Sequence, residues 1–381
     1  MTAYKDMTLD QRRAEYAALQ TAFADLKAQG LKLDMTRGKP CKDQLDMVSD
    51  IFDMLKEPED YIVDGIDIRN YGALSGLPEA KRLFANLLDC KPKQVFVGGN
   101  ASLQLMYSVI DCAFIHGRLN SPRPWCREPV VKWLCPAPGY DRHFKLTESF
   151  GFELITIPMT STGPDMDAVE EAIKDPAVKG IWCVPKYSNP EGIIYSKDTI
   201  VRMASMKPAA PDFTIMWDNA YCIHEFDGDY VEFPDILHQC KKYGNYDMVN
   251  QQRHVLYLQN RAHTLKLMKK HAAFMKPKFE AVLSTLDREI APLEIASWSH
   301  PKGGYFVSFD AMPGTAKRTL ALCKEAGVAM TAAGATFPYG IDPNDSNIRI
   351  APSFPPVEDV EKAIAVFCTC VKMSALEKLG V

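Results

Sequence analysis

The stretch TIMWDNAYCIHEFDG, residues 214–228, carries the pattern that decides the fold. Its first four residues are apolar or β-branched without helical periodicity, which predicts a buried strand of an α/β sheet. Asp218 follows directly, and ligands of open parallel sheets gather at the carboxyl ends of the strands. Asp218 and Tyr221 are one short turn apart, so both can point into one crevice. A helix-capping aspartate and a tyrosine covering the core are the alternative interpretation.

Earlier predicted strands are also followed directly by polar or aromatic residues. Three predicted strands cover residues 94–97, 131–135 and 180–184. The first leads through a glycine turn to an apolar helix at residues 103–114, where backbone N–H groups and the Ser102 hydroxyl form an anion site suited to phosphate. The other two lead to Tyr140 and Asn189. Each segment alone is explained by a plain connection, but their convergence favours one ligand-binding crevice.

Composition limits the class of protein. The 381 residues are 47% hydrophobic and 24% charged, which is typical of a globular chain with one large or two domains. A net charge of −4 offers no basic surface for nucleic acid, and the longest apolar runs are too short to span a membrane. The eleven cysteines lack CxxC pairs and zinc-ligand spacing. They predict reduced thiols in a cytoplasmic protein without a metal site.

Seven motifs follow one another in the order of a known family. They are NYGALSGL (70–77), GGNASLQLMY (98–107), CPAPGYDRHF (135–144), VPKYSNPEG (184–192), WDNAY (217–221), PKGGYF (301–306) and NIRIAPSFP (347–355). In this order they resemble a fold-type I pyridoxal-phosphate aminotransferase of class I/II. The most similar subgroup is that of bacterial aspartate aminotransferases and MocR-like proteins, here without a DNA-binding domain.

This resemblance implies an α/β fold of the aspartate aminotransferase-like PLP-transferase type. A large domain at residues 48–268, with a mostly parallel central sheet, would bind pyridoxal 5′-phosphate. A small α+β domain would combine residues 1–47 and 269–381.

The resemblance also implies how the cofactor ring is held. Asp218 would pair with the pyridinium nitrogen and keep it protonated, so that the ring can accept electrons. His143 would support Asp218 from behind. Tyr221 and Asn189 would hydrogen-bond the phenolic oxygen, and Tyr140 would stack on the ring face.

The cofactor phosphate would lie at the start of the helix that follows the glycine turn. Its ligands would be Asn100, Ala101 and Ser102. Tyr71 would reach the phosphate from a second subunit, which implies a homodimer with shared active sites.

The implied substrates are an amino acid and a 2-oxo acid, with aspartate and 2-oxoglutarate the first pair to test. Arg349 would bind the α-carboxylate, because only arginine offers a bidentate fork. Asn189 would also contact the substrate, and the Gly38 loop would close over it. The sequence does not identify the residue that binds a second carboxylate. Four cations are alternatives, although a solvated surface position is the favoured interpretation of each: Arg37, Lys39, Arg142 and Lys302. A lyase or decarboxylase of the same fold, and a non-catalytic binding protein, are the alternative functions.

One required element is missing from the sequence. The family needs a lysine that forms a Schiff base with the cofactor, on a Ser/Thr-rich turn beyond the WDNAY strand. Lys241 and Lys242 precede the expected place and are predicted to be solvated residues on a helix at 233–243. The sequence therefore predicts that a stretch is missing near Met248 to Asn250. Either it belongs to the protein but not to this sequence, or the chain carries a true deletion.

Overall fold

The structure, a computed structural model, describes residues 2–70, 72–233 and 248–381, without the side chains of residues 248–251. Its helices are α1 Leu9–Ala28, α2 Lys42–Asp46, α3 Pro78–Leu87, α4 Ser102–His116, α5 Asp141–Ser149, α6 Met166–Ala172, α7 Lys197–Ser205, α8 Met248–Leu258, α9 Arg261–Glu289, α10 Ala316–Glu325 and α11 Val357–Lys378. Its strands are β1 Leu33–Asp34, β2 Ile62–Val63, β3 Ile66–Asp67, β4 Lys132–Ala137, β5 Glu153–Thr160, β6 Gly163–Pro164, β7 Val178–Cys183, β8 Thr214–Trp217, β9 Ala296–Trp298, β10 Val307–Ala311, β11 Val328–Ala329 and β12 Asn347–Ile350.

The predicted α/β fold is confirmed by a mostly parallel sheet with the strand order β6-β5-β4-β7-β8. Strands β5, β4, β7 and β8 are parallel, and the short β6 is antiparallel at one edge. Strand β7 is buried throughout, as expected for the middle of a parallel sheet covered on both faces. A Cβ atom at Gly180 in β7 would lie 2.4 Å from the Trp133 ring and 2.6 Å from Thr214 O, so only glycine fits there.

The two faces of this sheet bury separate apolar clusters. Trp133 of β4 packs against Trp182 of β7 and Phe152 on one face. Leu134 and Ile181, which are adjacent to Trp133 and Trp182 in the same two strands, are completely buried on the other face. The alternation follows from the period of two in a strand, and it places helices on both sides of the sheet.

A second, antiparallel sheet has the order β12-β10-β9. It packs with α1, α9, α10 and α11 around one large apolar cluster. The N-terminal residues join this part of the molecule, because β1 pairs with β11 and α1 packs against α11. In the part of the chain that the structure describes, no helix is both long and apolar enough to cross a lipid bilayer.

Most predicted elements form with boundaries shifted by a few residues. The first helix, α1, begins at Leu9 because Thr8 caps it in a capping box with Gln11. Helices α8 and α9 are separated at Gln259, whose φ is 56°, and Asn260 then caps α9. The helix predicted at residues 233–243 lies, apart from its first residue, outside the described residues.

The strand predicted at residues 94–97 is wrong. A 3-10 turn at Pro92–Gln94 occupies its start, and Val95 to Val97 joins none of the described sheets. Val97 N donates instead to Ser75 O at 3.2 Å. A β-branched segment becomes a strand only where a neighbouring strand completes its hydrogen bonds. Strand β8, in turn, pairs among the described residues with β7 alone.

Candidate active site

The carboxyl ends of β4, β7 and β8 open into one crevice, as predicted for a parallel sheet. After β4 the chain turns sharply at Gly139, whose N–H donates to Thr336 O at 2.7 Å. A Cβ at Gly139 would lie 2.3 Å from Pro136 O, so the turn requires glycine. This turn ends at Tyr140, the residue that caps α5, and brings α5 against the sheet.

Asp218 and His143 form a buried polar pair at this edge. Their side chains are 3.0 Å apart between Oδ2 and Nε2, and neither residue is more than 8% exposed. The His143 ring stacks on Trp182 at a centroid distance of 4.4 Å and meets the Tyr140 ring edge-on at 4.9 Å. The Asp218 N–H extends the hydrogen bonding between β7 and β8 by donating to Cys183 O. The contact predicted between His143 and Asp218 therefore forms, in a rigid aromatic setting.

Tyr221 lies in a triangle of rings just beyond Asp218. Its ring centroid is 5.7 Å from that of His224 and 5.8 Å from that of Tyr305. Burial raises the pKa of Tyr221 and raises that of Tyr305 to about 12, so both hydroxyls stay protonated donors at neutral pH. Burial, and then the nearby His271, lowers the pKa of His224 to about 4, so this imidazole is neutral.

Arg349, on β12, reaches the crevice from the second sheet. Its Nη1 donates to Asp141 Oδ1 at 3.1 Å and to Asn189 Oδ1 at 3.3 Å. Its Nη2 lies 3.4 Å from Thr331 Oγ1, and the guanidinium carbon lies 4.9 Å from the centre of the Phe306 ring. The structure thus brings together two of the residues predicted to contact substrate, Arg349 and Asn189.

The Gly38 loop lies against the same group. A Cβ on Gly38 would be 2.4 Å from the Phe306 ring and 2.9 Å from Tyr305 Cβ, so a larger residue would displace both aromatic side chains. Gly38 therefore packs its backbone on the ring that underlies Arg349. All three predicted substrate residues meet in one region.

The predicted phosphate ligands lie at the start of α4. Ala101 caps this 15-residue helix without a side-chain cap, and its first turn contains no acidic residue. Asn100, Ala101 and Ser102 are exposed. The first N–H groups of a helix have no intrahelical acceptor, and the helix dipole favours an anion beside them. This end of α4 is therefore suited to a phosphate.

Several predicted residues fall elsewhere. Tyr71, Lys241 and Lys242 lie outside the described residues. The four cations considered for a second carboxylate are all exposed: Arg37, Lys39, Arg142 and Lys302. Lys39 Nζ lies 3.9 Å from the centre of the Phe354 ring, and Arg142 Nε lies 3.7 Å from Asp141 Oδ2.

Three contact residues were missed by sequence reasoning. Asp141 stands directly after Tyr140, so an acid at a strand's carboxyl end was a signal that could have found it. Thr331 and Phe306 come from the second sheet and its connections. No local pattern singles them out, because their importance comes only from contact with Arg349.

Comparisons with known proteins agree with this geometry. The family model described as aspartate amino-transferase matches residues 7–249 and 245–381. An aspartate aminotransferase of Corynebacterium glutamicum is 40% identical over 94% of this chain and 93% of that protein. A crystal structure of an aspartate transaminase from the same species matches with a TM-score of 0.95 and 39% identity, covering 99% of both chains. The chain belongs to the aspartate aminotransferase family.

Members of this family transfer amino groups between amino acids and 2-oxo acids, and aminotransferases of this fold depend on pyridoxal 5′-phosphate. LysN of Thermus thermophilus, an α-aminoadipate aminotransferase, was crystallised with N-(5′-phosphopyridoxyl)-L-leucine. It matches this chain with a TM-score of 0.72 at 18% identity, covering 93% of this chain and 95% of LysN, so it supports the fold. The predicted fold, cofactor and aminotransferase function are thereby confirmed at the level of the family.

The described residues fit the non-covalent part of this cofactor's site. Asp218 is a buried carboxylate that contacts His143, and it can accept a hydrogen bond from a protonated ring nitrogen. Nε of Arg349 is buried and has no hydrogen-bond partner among the described residues, as expected of a group that waits for a ligand. The described residues contain no cluster of three or more side chains that could hold a metal ion.

The covalent part of the site requires a lysine whose amine faces the cofactor. Lys186 is the lysine that follows β7, but its Nζ donates to Cys222 O at 3.0 Å and lies 4.1 Å from the centre of the Tyr230 ring. Burial lowers the pKa of Lys186. These contacts hold its amine in place and do not direct it toward Asp218.

The comparisons support the prediction of a missing stretch. A Mycolicibacterium smegmatis relative named only as an aminotransferase is 42% identical in an alignment of 423 positions that covers 99% of both chains. This chain has 381 residues, so at least 42 aligned positions have no residue here. The family model matches in two segments that meet at residues 245–249, close to the predicted junction at Met248 to Asn250.

Proposed function

We propose that this chain is the scaffold of an aspartate-type aminotransferase, which moves an amino group from an amino acid to a 2-oxo acid. The observation that carries the proposal is the convergence of the buried Asp218–His143 pair and the Arg349–Asn189 pair on one crevice. The aspartate aminotransferase of C. glutamicum supports aspartate as the first substrate to test. Activity requires a lysine-bearing stretch near residue 248.

Pyridoxal phosphate, when bound, supplies the electron sink for the reaction. Asp218 accepts the hydrogen bond of the ring nitrogen and keeps that nitrogen protonated, while His143 fixes the carboxylate by donating to its other side. Tyr221 and Asn189 donate to the phenolic oxygen. Because Asn189 Oδ1 accepts from Arg349, its Nδ2 remains available for this donation.

The same proposal assigns the remaining contacts. Tyr140 covers one face of the ring, next to the His143 edge. Asn100, Ala101 and Ser102 bind the phosphate at the start of α4, where exposed N–H groups and the helix dipole favour an anion. Tyr71 of a second subunit completes the phosphate site in a homodimer.

Arg349 binds the α-carboxylate of the substrate through charge-assisted hydrogen bonds. The Gly38 loop covers the substrate and excludes water. The position of the Gly38 backbone on the Phe306 ring, next to Arg349, supports this role.

We also propose the division into a large domain at residues 48–268 and a small domain from residues 1–47 and 269–381. Pairing of β1 with β11, and packing of α1 on α11, support the assignment of the N-terminal segment. A cytoplasmic location is supported by Cys135, Cys183 and Cys368, which are buried and form no disulfide.

A second candidate is a binding protein without catalysis, favoured by the 42 or more alignment positions that this chain lacks. Without the lysine, the site can hold a vitamin B6 phosphate or an amino acid but cannot attach the cofactor covalently.

The deciding experiment is the intact mass of the purified protein, measured with and without pyridoxal phosphate and borohydride. A mass above 42.6 kDa, with a pyridoxyl group fixed to a lysine in the extra stretch, is the result expected of the enzyme. A mass equal to that of the 381-residue chain, with no pyridoxyl-lysine after reduction, would contradict the enzyme and leave the binding protein.

A further inference from the structure

The Arg349 guanidinium is held by protein acceptors along one side only. Nη1 has two, the Asp141 carboxylate at 3.1 Å and the Asn189 amide oxygen at 3.3 Å. Nε has none among the described residues, and Nη2 has only the long contact of 3.4 Å with Thr331. The guanidinium is therefore fixed through Nη1, and its Nε–Nη2 side has hydrogen-bonding capacity to spare.

Asp141 is well supported for this contact. It is the first residue of α5, where the helix dipole favours an acidic side chain. Its other oxygen, Oδ2, lies 3.7 Å from Arg142 Nε. The same short turn carries Tyr140 and His143, so the residue that contacts Arg349 is tied rigidly to the residues that surround the cofactor ring.

The free side of the guanidinium matches a carboxylate. Nε–H and Nη2–H point in parallel from one edge of a planar group, and a carboxylate accepts both with its two oxygens. A guanidinium held by nothing could rotate and present either edge. Fixing Nη1 removes this freedom before the ligand arrives, which lowers the entropic cost of binding.

We propose that Asp141 is a positioning residue that orients Arg349 so that its Nε–Nη2 edge receives the α-carboxylate of the substrate. The inference rests on the proposed function and deepens it. In the opposite role, Asp141 would compete with the substrate. It would occupy the place of the α-carboxylate on Arg349 and would have to be displaced. The two roles predict changes of opposite sign when Asp141 is truncated.

The test compares a ligand that lacks the amino-acid part of the substrate with one that carries it, including its α-carboxylate, so it does not depend on turnover. Dissociation constants are measured by calorimetry for pyridoxamine 5′-phosphate and for N-(5′-phosphopyridoxyl)-L-alanine. A change of their ratio between variants reports a change in how the α-carboxylate is bound, because the remaining atoms of the two ligands are the same in every comparison. Asp141→Ala should lower this ratio about tenfold, because a charged hydrogen bond no longer orients Arg349. Asp141→Asn keeps an acceptor and should stay within about threefold of the unchanged protein.

Glu148→Ala is the matched control, because Glu148 lies on the same helix but near its far end, where its side chain pairs with Lys145. It should leave the ratio unchanged. Thermal unfolding of each variant separates loss of the fold from loss of orientation. If Asp141→Ala is poorly folded, Asp141→Ser replaces it, because serine suits the start of a helix but its shorter side chain also removes the carboxylate that reaches Nη1. An unchanged ratio in that variant would contradict the inference.

The outcomes separate the inference from the proposed function. If pyridoxamine 5′-phosphate does not bind to the unchanged protein, the assignment of the cofactor site is contradicted, and with it the role of Asp141. If it binds and Asp141→Ala leaves the ratio unchanged, only the inference about Asp141 is overturned. A ratio that rises in Asp141→Ala would show that Asp141 competes with the substrate carboxylate, and this result would also overturn the inference.

Discussion

The two sides of the crevice differ in how completely this chain builds them. On the carboxylate side, Arg349 has acceptors from Asp141 and Asn189 and lies over the Phe306 ring. On the sheet side, β8 has a partner along only one edge within the described ranges. The segment at residues 95–97, which has the composition of a strand, joins no described sheet.

This difference shows which functions depend on the missing stretch. The carboxylate side is made of contacts between distant segments, and all of those segments are present. The sheet side needs neighbouring strands, and at least 42 aligned positions of a relative have no residue here. We therefore expect carboxylate recognition to survive in this chain and covalent cofactor attachment to fail.

The largest expected effect is a gain of activity on the sheet side. Inserting the corresponding stretch of the C. glutamicum relative at residues 248–250 should convert a chain without turnover into one that transfers an amino group from aspartate to 2-oxoglutarate. The measurement is the rate of oxaloacetate formation. The same insertion with its lysine changed to alanine is the control and should be inactive. Turnover by the 381-residue chain alone would contradict the expectation.

Asp218→Ala should weaken binding of pyridoxamine 5′-phosphate by about tenfold or more, because the ring nitrogen loses a charged partner. The ratio of affinities with and without the α-carboxylate should not change. In a version of the protein with the lysine restored, the same substitution should abolish amino transfer while the fold persists. Calorimetry with the two ligands measures both effects, and an unchanged affinity for pyridoxamine 5′-phosphate would remove Asp218 from this role.

Arg349→Lys should give the complementary result on the carboxylate side. Lysine keeps the charge but loses the planar fork, so the α-carboxylate should contribute about tenfold less to binding. The affinity for pyridoxamine 5′-phosphate should stay the same. Arg202→Lys, at an exposed ion pair with Glu170, is the control. If both ligands lost affinity equally, Arg349 would not be the carboxylate residue.

Truncation of a side chain should destabilise the protein less at the β8 edge of the parallel sheet than at its centre. Leu134→Ala in β4, where the side chain is completely buried, should lower the free energy of unfolding by about 2–5 kcal/mol. Ile215→Ala in β8, where the side chain is half-buried, should cost about 1–2 kcal/mol. Denaturant unfolding measures both. Equal losses would mean that β8 is packed as an inner strand.

The last prediction concerns the pH dependence of stability. Burial, and then the Asp310 carboxylate, raises the pKa of Glu191 to about 8 from an ordinary 4.5. The unfolded chain therefore releases this proton before the folded chain does, and stability falls as pH rises from about 4.5 to about 8, by at most about 1.4 kcal/mol per pH unit.

Glu191→Gln should remove this slope, which melting temperatures across the pH range would measure. Glu171→Gln, on the exposed side of α6, is the control. A slope of the same size in Glu191→Gln would assign the pH dependence to other groups.

Much of the carboxylate side could be predicted from the sequence, and the sheet side shows where prediction failed. Arg349, Asn189 and Gly38 were predicted as substrate residues, and they meet in the structure. The strand predicted at residues 94–97 was wrong, because apolar composition specifies only a tendency and a ladder needs a partner. That partner is what this chain lacks within the described residues.

Local sequence patterns were enough to predict most of the strands and helices and the residues that stand at the carboxyl ends of β4, β7 and β8. These features depend on local periodicity and on turn residues, which are readable along the chain. Only the tertiary structure decided that Asp141 contacts Arg349, 208 residues further on. It also decided that His224 is enclosed with Tyr221 and Tyr305. Such contacts depend on how two sheets pack, and no local pattern encodes that packing.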